Sequence, residues 1–250
     1  MNRLRIQDSR LNDTVGQVGF RNGIMLIFIL ISYFLLPTSI HAQSVDLLWQ
    51  GETYTPPFYQ GKTLWSNQSG ITLVAMPQGL GNQANLNYKW SKNGTVLGNI
   101  NGVGKNTLPY IDTVLSRPQT IKLEIFSLDD DLLATNSIVI TPSPPSVLIY
   151  EKNPLYGFMF HKEVSKTYPL SEREVTFTAF PLFFSALDRL NPGLTYEWRT
   201  NTGETEIRNS VTYRTLEGLS GSSLVSVNLA NQDKIMQTSK KSFLIQFGKQ

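Results

Sequence analysis

The chain has 250 residues, room for one large domain or two modules of about 100 residues each, and it is 40% hydrophobic and 16% charged with a formal net charge of +3. That balance is too apolar and too weakly charged for a disordered chain. Cysteine is absent and histidine occurs only as His41 and His161, which excludes disulfides, zinc–thiolate sites, iron–sulfur clusters and cysteine nucleophiles and leaves little for metal or acid–base work by histidine.

The N-terminal stretch carries Arg3, Arg5, Arg10 and Arg21 against Asp8 and Asp13, and then a run from Ile24 to Leu36 whose one polar member is Ser32. Pro37 ends the run, and small residues lead to Ala42. A basic flank, a short apolar stretch and a small-residue exit are the parts of a secretory signal. A spanning helix needs about 20 apolar residues, more than this run supplies. Residues 1–42 are therefore expected to be a signal peptide or an uncleaved signal anchor, with membrane contact only through residues 24–40 in the uncleaved case. The remainder is expected to lie outside the cytoplasm. Setting residues 1–42 aside removes four arginines and two aspartates and leaves a net charge of +1. Nucleic acid, which requires a basic stripe, is not an expected partner.

Beyond Ala42 the apolar residues alternate with period two, the mark of half-buried strands. Ile71–Met76 reads this way. Leu86, Tyr88 and Trp90 share one face, Ile121–Ile125 alternates again, and Ile138–Ile140 closes the first half. Asn93-Gly94 suits a tight hairpin that needs positive φ, and Asp129-Asp130-Asp131 suits a turn. Thr141-Pro-Ser-Pro-Pro-Ser146 reads as a semi-rigid extended linker. The first pattern then returns: Leu48-Trp49 is matched by Ile149-Tyr150, Leu73–Pro77 by Phe177–Pro181, Tyr88-Lys-Trp90 by Tyr196-Glu-Trp198, and Asn93-Gly94 by Thr202-Gly203. Ile121–Ile140 corresponds to Leu224–Ile245, with Asn231-Gln-Asp233 in the matching turn. The longest insertion of the second copy holds Phe183, Phe184, Leu187 and Leu190, read as one short helix.

The expected fold is all-β, two tandem immunoglobulin-like sandwiches produced by duplication. The expected divisions are residues 43–142, a linker at 143–146, and residues 147–250. Short strands with turns every eight to twelve residues carry this reading. Tyr88, Trp90, Tyr196 and Trp198 are the expected structural core, and aliphatic residues must replace the missing inter-sheet disulfide.

Tyr88-Lys-Trp90-Ser-Lys-Asn-Gly94, followed by a glycine-rich turn, the alternating strand to Phe126, an Asp turn and a last strand, resembles the PKD and bacterial immunoglobulin-like families. Residues Tyr196–Ile245 repeat the pattern with Thr202 in place of the asparagine and a longer loop. The segment Trp49–Lys62 is similar to the start of a group of bacterial exported proteins, a likeness that brings no activity with it. The PKD-like resemblance implies extracellular modules that serve adhesion, spacing or protein contact.

Candidate chemistry is sparse. Gly98–Asn106 misses the phosphate-loop spacing, because Asn99 stands where the first glycine is needed and Asn106 replaces the hydroxyl. Asp129–Asp131 offers oxygen ligands for calcium, but three consecutive acids cannot all face one ion. His161 has no nucleophile elbow to serve, and Glu172 and Glu174 read as a charged surface. The aromatic group Tyr54, Phe58, Tyr59 and Trp65 is the best functional hint, a candidate contact for a ligand or partner, but the pattern favours packing that caps an open sheet edge. The expected function is a non-enzymatic envelope protein for binding, adhesion or spacing, with an envelope or extracellular protein or a glycan as partner and no cofactor. The alternatives are a carbohydrate-binding accessory module using the exposed aromatics, and a hydrolase with a cryptic site.

Overall fold

A computed structural model describes residues 43–111, 116–201, 203 and 205–248. Residues 1–42, where a signal peptide or anchor is expected, and Thr202 lie outside them. The first half contains β1 (Ser44–Glu52), β2 (Gly70–Gln78), β3 (Asn87–Lys92), β4 (Thr95–Val96), β5 (Gly102–Val103), β6 (Thr107–Ile111), β7 (Gln119–Phe126) and β8 (Leu132–Ile140). The second half contains β9 (Ser146–Asn153), β10 (Gly157–Glu163), β11 (Thr167–Leu170), β12 (Glu174–Leu182), β13 (Leu194–Thr200), β14 (Thr205–Glu206), β15 (Ser210–Arg214), β16 (Gly221–Asn231) and β17 (Thr238–Phe247).

The alternation in the sequence becomes two faces of each strand. Ile71, Leu73 and Ala75 of β2 and Ile121, Leu123 and Ile125 of β7 point inward and are buried, while their neighbours face out. The inward sets fill the space between the sheet β1-β2-β6 and the sheet β4-β3-β7-β8. The second sandwich repeats this order, with β9-β12-β15 facing β17-β16-β13-β14. The corresponding strands are β1 and β9, β2 and β12, β3 and β13, β4 and β14, β6 and β15, β7 and β16, and β8 and β17. This strand order is that of an immunoglobulin-like sandwich, and it makes the protein an all-β tandem of two such sandwiches.

The Tyr-x-Trp pair is wired alike in both. The indole of Trp90 donates to the Lys105 carbonyl at 3.0 Å and that of Trp198 to the Arg208 carbonyl at 2.9 Å. The Tyr88 hydroxyl donates to the Gln83 carbonyl and the Tyr196 hydroxyl to the Arg189 carbonyl. Each Trp therefore anchors the chain that crosses between the sheets, and each Tyr ties down the loop that precedes its own strand. All four side chains are buried. The Asn93-Gly94 turn has φ of 50° and 82°, the double left-handed geometry that a tight hairpin demands.

Two sequence expectations fail locally. Residues Phe183–Leu190 form no helix. Phe183 has φ of 63°, its amide donates to the Tyr54 carbonyl, and the Phe184 carbonyl accepts from the Tyr54 amide. Asp188 takes the Leu190 amide on its side chain, so local and long-range bonds consume the groups a helix would need. Leu187 and Leu190 consequently face solvent while Phe183 and Phe184 are buried. The second difference is β10 and β11, which the alternation did not mark. β11 adds to β17 in parallel, and β10 pairs with β9 through an irregular register between Phe158 and Glu163.

Candidate functional site at the junction of the two sandwiches

The connection between the sandwiches is short and bonded. Ser146 already opens β9, and Ser143 donates its amide to the Trp65 carbonyl at 2.7 Å. The first sandwich then reaches across with the segment between β1 and β2, which holds all four of the aromatic residues singled out above.

Their placement is that of packing residues, with none of the four fully exposed. Trp65 is fully buried in the first core, its indole donating to the Ser69 carbonyl, so it presents no surface to a ligand. Tyr54 forms an antiparallel bridge with Phe184 of the second sandwich. Tyr59 meets the Phe183 ring edge-on at 5.6 Å. Phe58 enters a cluster on the outer face of the β9–β12 sheet, with centroids 4.3 Å from Phe160, 4.9 Å from Tyr150 and 5.4 Å from Phe180. Tyr54, Phe58 and Tyr59 are half-buried and committed to this contact. Edge-to-face pairs of this kind contribute about 0.5–1.5 kcal/mol each beyond area burial. The Arg189 guanidinium lies over the rings of Phe158 and Phe180 and extends the same layer.

A polar contact completes the junction. Gln237, fully buried, donates to the Asn67 carbonyl of the first sandwich at 2.7 Å and to the Ser185 hydroxyl at 2.8 Å. Its side-chain oxygen accepts from the Ser185 amide and from Asn231. The Met236 amide donates to the side-chain oxygen of Gln68 at 2.8 Å. The Gln237 amide uses both its N–H groups and its oxygen, so nothing is left unpaired by its burial.

Beside the junction lies an open groove of 920 Å³, floored by Leu48, Gln50, Glu52, Thr72 and Val74 of the β1–β2 sheet and bordered by Trp49, Lys62 and Leu187. The Lys62 ammonium stands 3.4 Å above the centre of the Trp49 ring, a cation–π contact. Burial lowers Lys62 below the ordinary lysine value. Glu52 accepts from the Thr72 hydroxyl at 2.9 Å. The groove presents hydrogen-bonding groups and apolar surface side by side, which suits a binding site. Sequence reasoning gave Trp49 and Lys62 no role; their separation in the chain hid the pairing.

The catalytic candidates do not converge. His161 is exposed on β10, Glu172 precedes β12, and Glu174 is paired with Arg214 across the β12–β15 edge. Asp129–Asp131 forms an exposed turn in which the Ser127 hydroxyl accepts from the Asp129 and Asp131 amides. Among the described residues no group of three His, Cys, Asp or Glu is placed to hold a metal.

No family model matches the chain, and no curated protein matches it. Among solved structures it is similar to the fibronectin(III)-like modules of Clostridium thermocellum CbhA, at 11% identity and a TM-score of 0.25, covering 80% of this chain and 93% of that one. It is similar to the BSP domain of a biofilm associated protein at 14% identity and a TM-score of 0.22, covering 73% of this chain and 28% of that one. The ectodomain (Ig1–Ig3) of mouse nectin-like molecule 4 gives 10% identity and a TM-score of 0.26, covering 83% and 63%. At such values the sandwich assignment rests on the strand order described above.

Proposed function

We propose that the protein is an exported, non-enzymatic component of the bacterial cell envelope that binds or spaces other components through two immunoglobulin-like sandwiches held as one unit. The observation that carries this reading is the junction. Phe58, Tyr54 and Gln237 commit side chains and backbone across it, so the two sandwiches present their loops at a fixed relative position. A spacer or a paired binding surface needs that fixity; a flexible string of modules does not have it. The export signal read from residues 1–42 supports the location. The groove on the outer face of β1 and β2 is the place in this reading where a ligand sits.

The glycan reading moves with the structure. Tyr54, Tyr59 and Trp65 are occupied, whereas the groove offers Gln50 and Glu52 on the outward face of β1, followed by Thr53. Cell fractionation with cross-linking in intact envelopes tests the proposal. The expected result is protein outside the cytoplasm, cross-linked to an envelope component and released by substitutions in the groove such as Leu48→Asp. A cytoplasmic protein, or a hydrolytic activity lost with His161→Ala, Glu172→Ala or Glu174→Ala, contradicts it.

A further inference from the structure

The two copies differ at the edge where the sheets of a sandwich part. In the second, a fissure of 440 Å³ opens between β13–β14 and β15, running from Glu206 and Tyr213 down to Trp198, Val211 and Val225. A space of this size holds a small molecule or one long side chain.

Duplication shows what such a space takes. Trp90 pairs with Leu123 and Lys92 with Ile121, as Trp198 pairs with Val227 and Thr200 with Val225. Register therefore equates Ile121 with Val225, one residue on from the match read in the sequence. It likewise equates Leu108 with Val211 and Tyr110 with Tyr213. The first sandwich fills the place with its own side chains. Leu97 packs against the core beside Trp90, whose carbonyl takes the Leu97 amide. The Lys92 ammonium stands 4.9 Å from the centre of the Tyr110 ring, a cation–π contact. Gln119 is buried close by and accepts from the Asn93 side chain.

The second copy is smaller at each lining position, with Thr200 for Lys92, Val225 for Ile121, Val211 for Leu108 and Ser223 for Gln119. The tryptophan and the tyrosine are kept. Where Leu97 stands in the first copy, the second has Glu206, paired with Trp198 across β13 and β14. The space has thus lost a lysine and gained a carboxylate at its rim.

The unpaired charge at the fissure is negative. Glu206 is exposed and takes part in none of the salt bridges among the described residues. Arg214 is engaged with Glu174, and the Thr212 hydroxyl with that of Thr176, both on the outer face of the β12–β15 sheet. Arg199 is paired with Glu197, and Arg208 borders a different hollow with Arg189. Glu204, in the same hairpin, lies outside the described residues and has the sign of Glu206. The Asn209 carbonyl takes the Ala179 amide, and the Thr215 amide donates to the Arg173 carbonyl. The odd-numbered residues of β15 therefore bond to β12, and Thr212 turns its carbonyl to the open edge.

We propose that this fissure binds a primary ammonium on an unbranched aliphatic chain, the chemistry shared by a lysine side chain and a free diamine. The chain lies along Val211 and Val225. The ammonium faces the Tyr213 ring as Lys92 faces Tyr110, and Glu206 and the Thr212 carbonyl accept its hydrogen bonds. The site is separate from the groove on β1 and β2 and does not depend on it.

Saturation-transfer nuclear magnetic resonance on the full chain tests this with Nα-acetyl-lysine methylamide and cadaverine as probes. Nα-acetyl-norleucine methylamide supplies the same chain without the ammonium. The expected result is transfer to the methylenes of at least one amine and none to the norleucine probe. Glu206→Gln is expected to weaken binding about tenfold, the loss of one charge-assisted hydrogen bond. Thr200→Lys restores the filling of the first copy and is expected to abolish binding with an unchanged circular dichroism spectrum. A response to the lysine probe alone assigns the ammonium to a protein side chain, and a response to cadaverine alone assigns it to a free diamine. No transfer to either amine, equal transfer to the norleucine probe, or amine signals that persist unchanged in Glu206→Gln or in a folded Thr200→Lys chain would each overturn the proposal.

Discussion

Trp90 and Trp198 each fill the space between two sheets and each spend their one polar group on a backbone carbonyl that crosses that space. Removing the ring leaves both a cavity and an unpaired carbonyl. Trp90→Ala is therefore expected to lower the stability of the first sandwich by about 3–5 kcal/mol, measured by urea denaturation, whereas Leu187→Ala on the exposed loop changes it by less than about 0.5 kcal/mol. The buried phenols make a pH prediction. Burial raises Tyr196 above the ordinary tyrosine value of 10.0, and burial together with the hydrogen bond to Glu151 raises Tyr168 in the same direction. A phenol whose folded value lies above its unfolded one contributes stability that is fully present below the unfolded value. That contribution is lost as pH rises through the folded value. Stability is thus expected to fall at pH above about 10, and Tyr168→Phe to reduce the alkaline loss. Ultraviolet titration of the phenols alongside unfolding checks both.

At the scale of the element, the strands were legible wherever one face meets a core and the other meets water. Tyr88 and Trp90, with Lys89 between them, state their pattern within five residues. β10 was not legible, because no residue of it is fully buried and its half-buried Phe158 is covered by a different layer. The helix read at Phe183–Leu190 failed for a related reason. Its aromatic residues are held by Tyr54, more than a hundred positions earlier, and no local period reports such a partner. One signal was present: Phe177–Phe184 is almost continuously apolar, as befits a strand buried on both faces, and β12 is buried on its outer side by Phe158, Phe160 and Phe58. Turn chemistry was the most local signal. Gly94 sits at φ of 82° with open space where a side chain would stand, so Gly94→Val is limited by backbone strain alone. It is expected to cost about 1–2 kcal/mol, read as a lower denaturation midpoint with an unchanged spectrum.

For the whole molecule, the aromatic segment after β1 was visible in the sequence but its role was not. Composition marks Tyr54, Phe58 and Tyr59 as contact residues without saying whether the contact is with a ligand or with the other half of the chain. The structure assigns them to the second sandwich. Two separate cores joined by a committed junction should unfold in a coupled manner. Gln237→Ala removes a bond to Asn67 and strands Ser185 and Asn231 groups, a loss of about 1–3 kcal/mol; calorimetry is expected to show one transition before the change and two after it.

A distance between the two sandwiches is the most direct probe of their fixed relation. Because the chain has no cysteine, Ser137→Cys and Lys240→Cys place one spin label on an exposed site of each sandwich. Pulsed dipolar spectroscopy is expected to give a single narrow distance distribution that broadens when Phe58→Ala and Gln237→Ala are combined. A broad distribution in the otherwise unaltered protein, unchanged by those substitutions, would contradict the account.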